Sequence, residues 1–149
     1  LGLPPGLIGA ALIAVLSPCV ASATLGETEN SVAGDAQRIA GSIKIAQHPS
    51  YRVHEIDASG TVVREFVGGD GTVFAVAWHG PTTPNLHQML GAYFDRFVAA
   101  QQQKSSGHTH VRLQQSDLVV EVGGHMRAFS GRVYLPAAMP GGVDLGDLH

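Results

Sequence analysis

Residues 51–78 read "YRVHEIDASGTVVREFVGGDGTVFAVAW", and this stretch decides the fold. Three runs, 51–57, 61–67 and 72–78, are rich in Val, Ile, Thr, Phe and Trp, side chains that fit a pleated surface. Ala58-Ser59-Gly60 separates the first two runs and Gly68-Gly69-Asp70-Gly71 the last two. Both offer glycine where a tight hairpin requires positive φ. The stretch therefore predicts an antiparallel three-stranded meander. A two-residue turn at Ser59-Gly60 sets Glu55 opposite Arg64, His54 opposite Glu65 and Val53 opposite Phe66. A three-residue loop would set His54 opposite Arg64 and Glu55 opposite Val63. Complementary cross-strand pairs contribute roughly 0.2–1 kcal/mol each, which favours the first register. The third run, "TVFAVAW", is apolar on both of its faces, as a strand covered on two sides must be. It is expected at the centre of the sheet, with another strand beyond it.

Downstream, residues 84–102 carry the strongest helical pattern in the chain. Thr83 is a capping residue and Pro84 suits the first helical position. Leu86, Met89, Leu90, Tyr93, Phe94, Phe97 and Val98 then recur at three- and four-residue spacing. That stripe is expected to pack across the meander, ahead of the polar stretch 101–107, "QQQKSSG". Strand patterns return at 109–114, 118–122 and 126–135. Gly123-Gly124 is a hairpin signal, and Gly131 marks a bulge or a close backbone approach. The Pro/Gly-rich stretch 137–149 has no periodic pattern and is expected to be a flexible C-terminal tail.

Upstream, "SIKIAQ" (42–47) has the alternation of a short strand. Residues 28–40, "TENSVAGDAQRIA", form a weak amphipathic pattern with acidic residues early and Arg38 late, which predicts a short N-terminal helix. The first 23 residues differ in kind. "LIGAALIAVL" (7–16) is uncharged, too short for the ~20 residues that span a bilayer as a helix, and followed by the small-x-small site Ala21-Ser22-Ala23. This is the pattern of a secretory signal peptide, although no basic residue precedes it. The only cysteine, Cys19, falls inside it, so the mature chain is expected to lack disulfides and thiolate chemistry.

Charged residues make up 14% of the chain and the net charge is -3, with no basic stripe in the sequence, which argues against a nucleic-acid partner. No cofactor motif is present: "GGDG" (68–71) lacks the Lys and Ser/Thr of a phosphate loop and joins two strands. The sequence has no G-x-S-x-G nucleophile elbow. His54-Glu55 and Arg64-Glu65 have the elements of an acid/base pair, but cross-strand ion pairing explains them more simply. Among eight histidines, His108 and His110 would share one face of an extended chain, and His125 could join them from the last hairpin as a metal site. No ligand spacing supports that set. The segment 123–136, "GGHMRAFSGRVYLP", mixes Arg127, Phe129, Arg132 and Tyr134 around glycines, the composition of an interaction surface.

The blocks "GTVVREFV", "GTVFAVAWHGPTTPNLHQMLGAYF" and "LVVEVGGHMRAFSGRVYLP" resemble DUF2844, a family of short exported proteobacterial proteins of unknown function. The resemblance covers about 25–140 and implies export and one stand-alone domain. It brings no catalytic residues.

The sequence thus predicts an α+β fold: a mainly antiparallel, twisted sheet of five or six strands, one long amphipathic helix on a face and a short N-terminal helix. The expected organisation is a signal peptide at 1–23, one domain at 24–136 and a tail at 137–149. The expected function is a periplasmic or secreted, non-enzymatic accessory protein that binds a protein or peptide partner, without a cofactor or a membrane span in the mature chain. A histidine-based metal-binding protein and a small envelope hydrolase are the alternatives. If 1–23 is a signal peptide, the exported protein begins at Thr24 and carries no lipid. Intact-mass measurement checks this, and a diacylated Cys19 would overturn it.

Overall fold

The computed structural model describes residues 25–29, 42–102 and 110–149. In it the predicted meander forms three antiparallel strands flanked on both sides by others. The strands are β1 (Ser42–Gln47), β2 (Tyr51–Ala58), β3 (Thr61–Gly68), β4 (Val73–Gly80), β5 (Val111–Gln114), β6 (Val119–His125) and β7 (Ala128–Tyr134). They make a seven-stranded sheet in the order β1-β2-β3-β4-β7-β6-β5, and every pairing is antiparallel. The expectation of five or six strands is corrected to seven. The edges account for the difference: all six residues of β1 are exposed, yet the strand pairs with β2 along its whole length, and β5 is a four-residue strand on the opposite edge. On β1, Lys44 stands between the exposed Ile43 and Ile45, a charge that discourages edge-to-edge pairing.

The β2–β3 register is the one that the charges favour: Glu55 faces Arg64, His54 faces Glu65 and Val53 faces Phe66. Ser59 and Gly60 both have positive φ, 55° and 86°, as a two-residue primed turn requires. β4 lies at the centre, and residues 73–78 are buried without a break. Its register against β3 shifts at Phe74, so Phe74 and Ala75 both belong to the same cluster.

Two apolar clusters sandwich the sheet. On one face Ile56, Val63, Val76, Trp78, Val120 and Val133 meet Met89, Leu90 and Phe97. These last come from the helical stretch 86–102, built as α1 (Leu86–Leu90), a 3-10 turn (Gly91–Tyr93) and α2 (Phe94–Gln102). The helix starts at Leu86 rather than Pro84 because the Asn85 side chain accepts the Gln88 N–H at 3.2 Å and caps it. Arg96 ties α2 to the β5–β6 turn through both carboxylate oxygens of Asp117 (2.8 and 2.9 Å). Among the described residues no helix is long and apolar enough to cross a membrane.

The other face buries Tyr51, Val53, Phe66, Phe74, Ala75, Ala77, Val119 and Tyr134, and its cover is the C-terminal stretch. The expected loose tail at 137–149 is therefore corrected to a packed strap. Leu148 is 1% exposed, Ala138, Met139 and Val143 pack beside it, and the 3-10 turn Leu145–Asp147 carries a capping box at Asp144. Aperiodic sequence concealed this, because a strap that follows no regular element has no period to read.

Of the predicted N-terminal helix, residues 30–40 lie outside the described residues, as does the expected signal peptide, 1–23. The described part, 25–29, is not helical. Thr28 bridges Thr72, the Leu25 N–H donates to Met89 O at 3.0 Å and Val73 N–H donates to Glu27 O at 2.9 Å. The backbone there is committed to β4 and the helix.

The glycines of the last hairpin serve close approach. Gly123-Gly124 is not the turn: β6 runs through both to His125, and Met126 and Arg127 (φ 66°) make the turn. A Cβ at Gly123 would lie 2.1 Å from His110 Nδ1, and one at Gly124 2.3 Å from Ala128 O. At Gly131 a Cβ would lie 2.3 Å from the Trp78 ring, and the β4–β7 and β6–β7 registers run through it without a bulge. Gly131→Ala must displace a 2%-exposed indole and is expected to cost about 1–3 kcal/mol. Phe97→Ala is expected to cost about 3–5 kcal/mol, and more than the half-buried Phe94→Ala. Urea melts of the three variants check the order.

Candidate functional site

The sheet register assembles a charged row that no local pattern announces. Lys44, Glu55, Arg64, Ala77, Arg132, Glu121 and Arg112 stand opposite one another, one from each strand, across the whole sheet. Each carboxylate bridges two cations. Glu55 takes Arg64 Nε at 2.9 Å and Lys44 at 4.0 Å; Glu121 takes Arg132 Nε at 2.6 Å and Arg112 Nε at 3.2 Å. Four basic side chains against two acidic ones leave this row positive in a chain whose net charge is -3.

The C-terminal strap crosses the row at its centre. Arg132 Nη1 donates to Leu145 O at 2.7 Å and Arg64 Nη1 donates to His149 O at 2.6 Å. Leu148 is buried between these two anchors, in the cluster that includes Ala77. Each guanidinium is thus divided between a carboxylate and a main-chain carbonyl, geometry that its rigid fork of donors permits.

A cavity of about 590 Å³ opens on this face beside the strap, lined among others by Arg64, His79, His110, Arg112, Glu121 and Arg132. Its small lining residues are Gly123, Ser130 and Gly131. A second cavity of about 390 Å³ lies toward β1 and β2, where Tyr51, Glu55, Asp147 and His149 contribute to the wall.

The residues expected to form an interaction surface are separated. Strand alternation without a bulge puts Phe129 and Arg132 on opposite faces. Arg127 sits exposed in the hairpin turn, Phe129 is half-buried, and Tyr134 is 8% exposed within the strap-side cluster. Of the four, Arg132 alone lines the cavity. Of the metal candidates, His108 lies outside the described residues, His110 packs over Gly123 and His125 pairs with Ala128 at the end of the hairpin. Among the described residues no three His, Cys, Asp or Glu side chains are grouped to hold a metal ion. Arg64, His79, Arg112, Glu121 and Ser130 were not singled out for this site by sequence reasoning. The available signal was a lone charge in the middle of several strand runs.

The acid/base candidates resolve into ion pairs. Glu55 and Arg64 pair as above, while His54 Nε2 lies 2.9 Å from Glu29 Oε1 on the helix side of the sheet. Arg52 Nε donates to the same carboxylate at 3.0 Å. The Arg52 hydrogen bond, seconded by His54 and opposed by desolvation, holds the Glu29 carboxyl below its usual value of 4.5. Ser130 and His79 face each other in register, but no hydrogen bond joins them, and Glu121 is committed to two arginines.

A depressed carboxyl contributes stability above its unfolded pKa and loses it as pH falls through the folded value. Glu29→Gln is therefore expected to destabilise at pH 7, by an amount on the order of 1 kcal/mol after solvent screening. The gap from the unsubstituted protein should close as pH drops below the usual carboxyl value of 4.5. Thermal melts of both proteins across that range check it.

No curated protein and no solved structure matches the chain. Residues 21–148, however, match the family described as a protein of unknown function, DUF2844, and the chain belongs to that family.

Proposed function

We propose that this is an exported, non-enzymatic accessory protein that holds a protein or peptide partner on the strap side of its sheet. One observation carries the reading: this face already grips a segment of chain by its main-chain oxygens, at the two ends of the turn Leu145–Asp147. Arg64 and Arg132 bind the carbonyls of His149 and Leu145, and the side chain of Leu148 is buried between them. Main-chain hydrogen bonds together with a pocketed apolar side chain are a general means of holding a peptide, and an open cavity with the same arginines lies alongside. Export is supported by the apolar run at 7–16 and the Ala21-Ser22-Ala23 site. The non-enzymatic reading is supported by the commitment of both row carboxylates to cations, which leaves neither as a base.

A photoreactive side chain at Ser130, in the cavity, tests the proposal against one at Gln101, exposed on α2. Covalent adducts from envelope extract are expected at Ser130 and not at Gln101. Equal yields at both positions, or none at Ser130, would remove the assignment to this face.

A further inference from the structure

We infer that the cavity between the strap and β5 binds an acidic peptide segment in extended form. This rests on the partner-binding reading above and gives the partner its chemistry. The first support is donor capacity. Each guanidinium carries five N–H donors. Arg64 and Arg132 each use Nε on a carboxylate and Nη1 on a strap carbonyl; their Nη2 groups have no hydrogen-bond partner among the described residues. Arg112 meets Glu121 through Nε at 3.2 Å, and its side chain is 64% exposed. Three cations with unused donors thus line one cavity that contains a single carboxylate, Glu121.

The second support is shape. Ser130, a small exposed residue of β7, lies in the cavity floor, and His110, packed over Gly123, forms part of the wall. The cavity extends from Arg64 on β3 over β4, β7 and β6 to β5, five neighbouring strands. At ~4.8 Å per strand this is about 19 Å, the reach of about six extended residues. The third support is the strap, whose carbonyls these same arginines already receive. A nucleic-acid strand fits less well. Trp78 is among the lining residues, but its ring is 2% exposed and packed against Gly131, so it offers no stacking platform, and Glu121 stands in the path of a continuous phosphate backbone.

The test is fluorescence anisotropy of labelled hexaglutamate with the chain from Thr24 onward, at about 50 mM salt. Hexaglutamate is expected to bind, and to weaken strongly when salt is raised to about 500 mM. Arg112→Glu and Ser130→Glu, both at exposed strand positions, are each expected to raise Kd by about tenfold or more while the melting temperature stays nearly unchanged. Free glutarate, inorganic phosphate, hexalysine and a hexathymidylate oligonucleotide are expected to compete poorly. Absence of hexaglutamate binding, or binding indifferent to both substitutions, overturns the inference. So does competition by glutarate or phosphate at equal concentration, which marks a small-anion site, or tighter binding of the oligonucleotide. Adducts at Ser130 together with no hexaglutamate binding would overturn the acidic chemistry and leave the partner reading standing.

Discussion

A strand that is apolar on both faces must be covered on both, and β4 imposes that constraint on everything around it. Val73, Val76 and Trp78 belong to one cluster; Phe74, Ala75 and Ala77 belong to the other. Leaving either set in water would forfeit roughly 1.5–3 kcal/mol for each large side chain. The helical stretch 86–102 covers the first set with an amphipathic stripe. The second set is too broad for the meander's own loops to cover, and the stretch after β7 closes over it instead. The packing of 137–149 follows from "TVFAVAW" as surely as the packing of the helix does. The bulge at Phe74 enlarges the demand by giving the strap side two consecutive side chains.

The strap in turn explains why arginines occupy the middle of that face. The end of the strap is a single 3-10 turn whose backbone bond to the Leu145 oxygen is a long one, from Leu148 N–H at 3.4 Å, so side-chain donors on the sheet add to what fixes it in place. Arg64 and Arg132, on opposite sides of β4 in the same row, supply N–H donors at the two ends of the buried Leu148. Their own charges are partly neutralised by Glu55 and Glu121. The row therefore anchors the strap and leaves a positive surface beside it.

Much of the fold was legible because it is written in local periods. The meander, its Ser59-Gly60 register, the central place of β4 with a further strand beyond it, and the amphipathic helix all follow from alternation, turn residues and stripe spacing. The site was far less legible, since its residues come from separate strands. Glu55, Arg64, Arg112, Glu121 and Arg132 each read singly as one charge in an apolar run, and a composition without a basic stripe hid the row that pairing assembles. Arg132 was recognised, but for company it does not keep: the straight passage of β7 through Gly131 sends Phe129 to the opposite face. Gly131 itself was ambiguous between a bulge and a close approach, and only the position of the Trp78 ring decides between them.

Interleaving carboxylates among the cations does more than pair charges. Four unneutralised basic side chains in one row would repel one another across neighbouring strands about 4.8 Å apart. With Glu55 and Glu121 placed between them, each cation has an opposite charge as neighbour except across β4, where Ala77 separates Arg64 from Arg132. That gap is where the face has two guanidiniums facing an uncharged residue, and it is where the strap crosses. The strap offers these donors main-chain oxygens, those of Leu145 and His149. A ligand carboxylate is a stronger acceptor for the same groups, and the cavity begins where the strap's carbonyls end. The arrangement that secures the second cover of β4 thus leaves, at its margin, donors better matched to an anion than to the main chain they already hold.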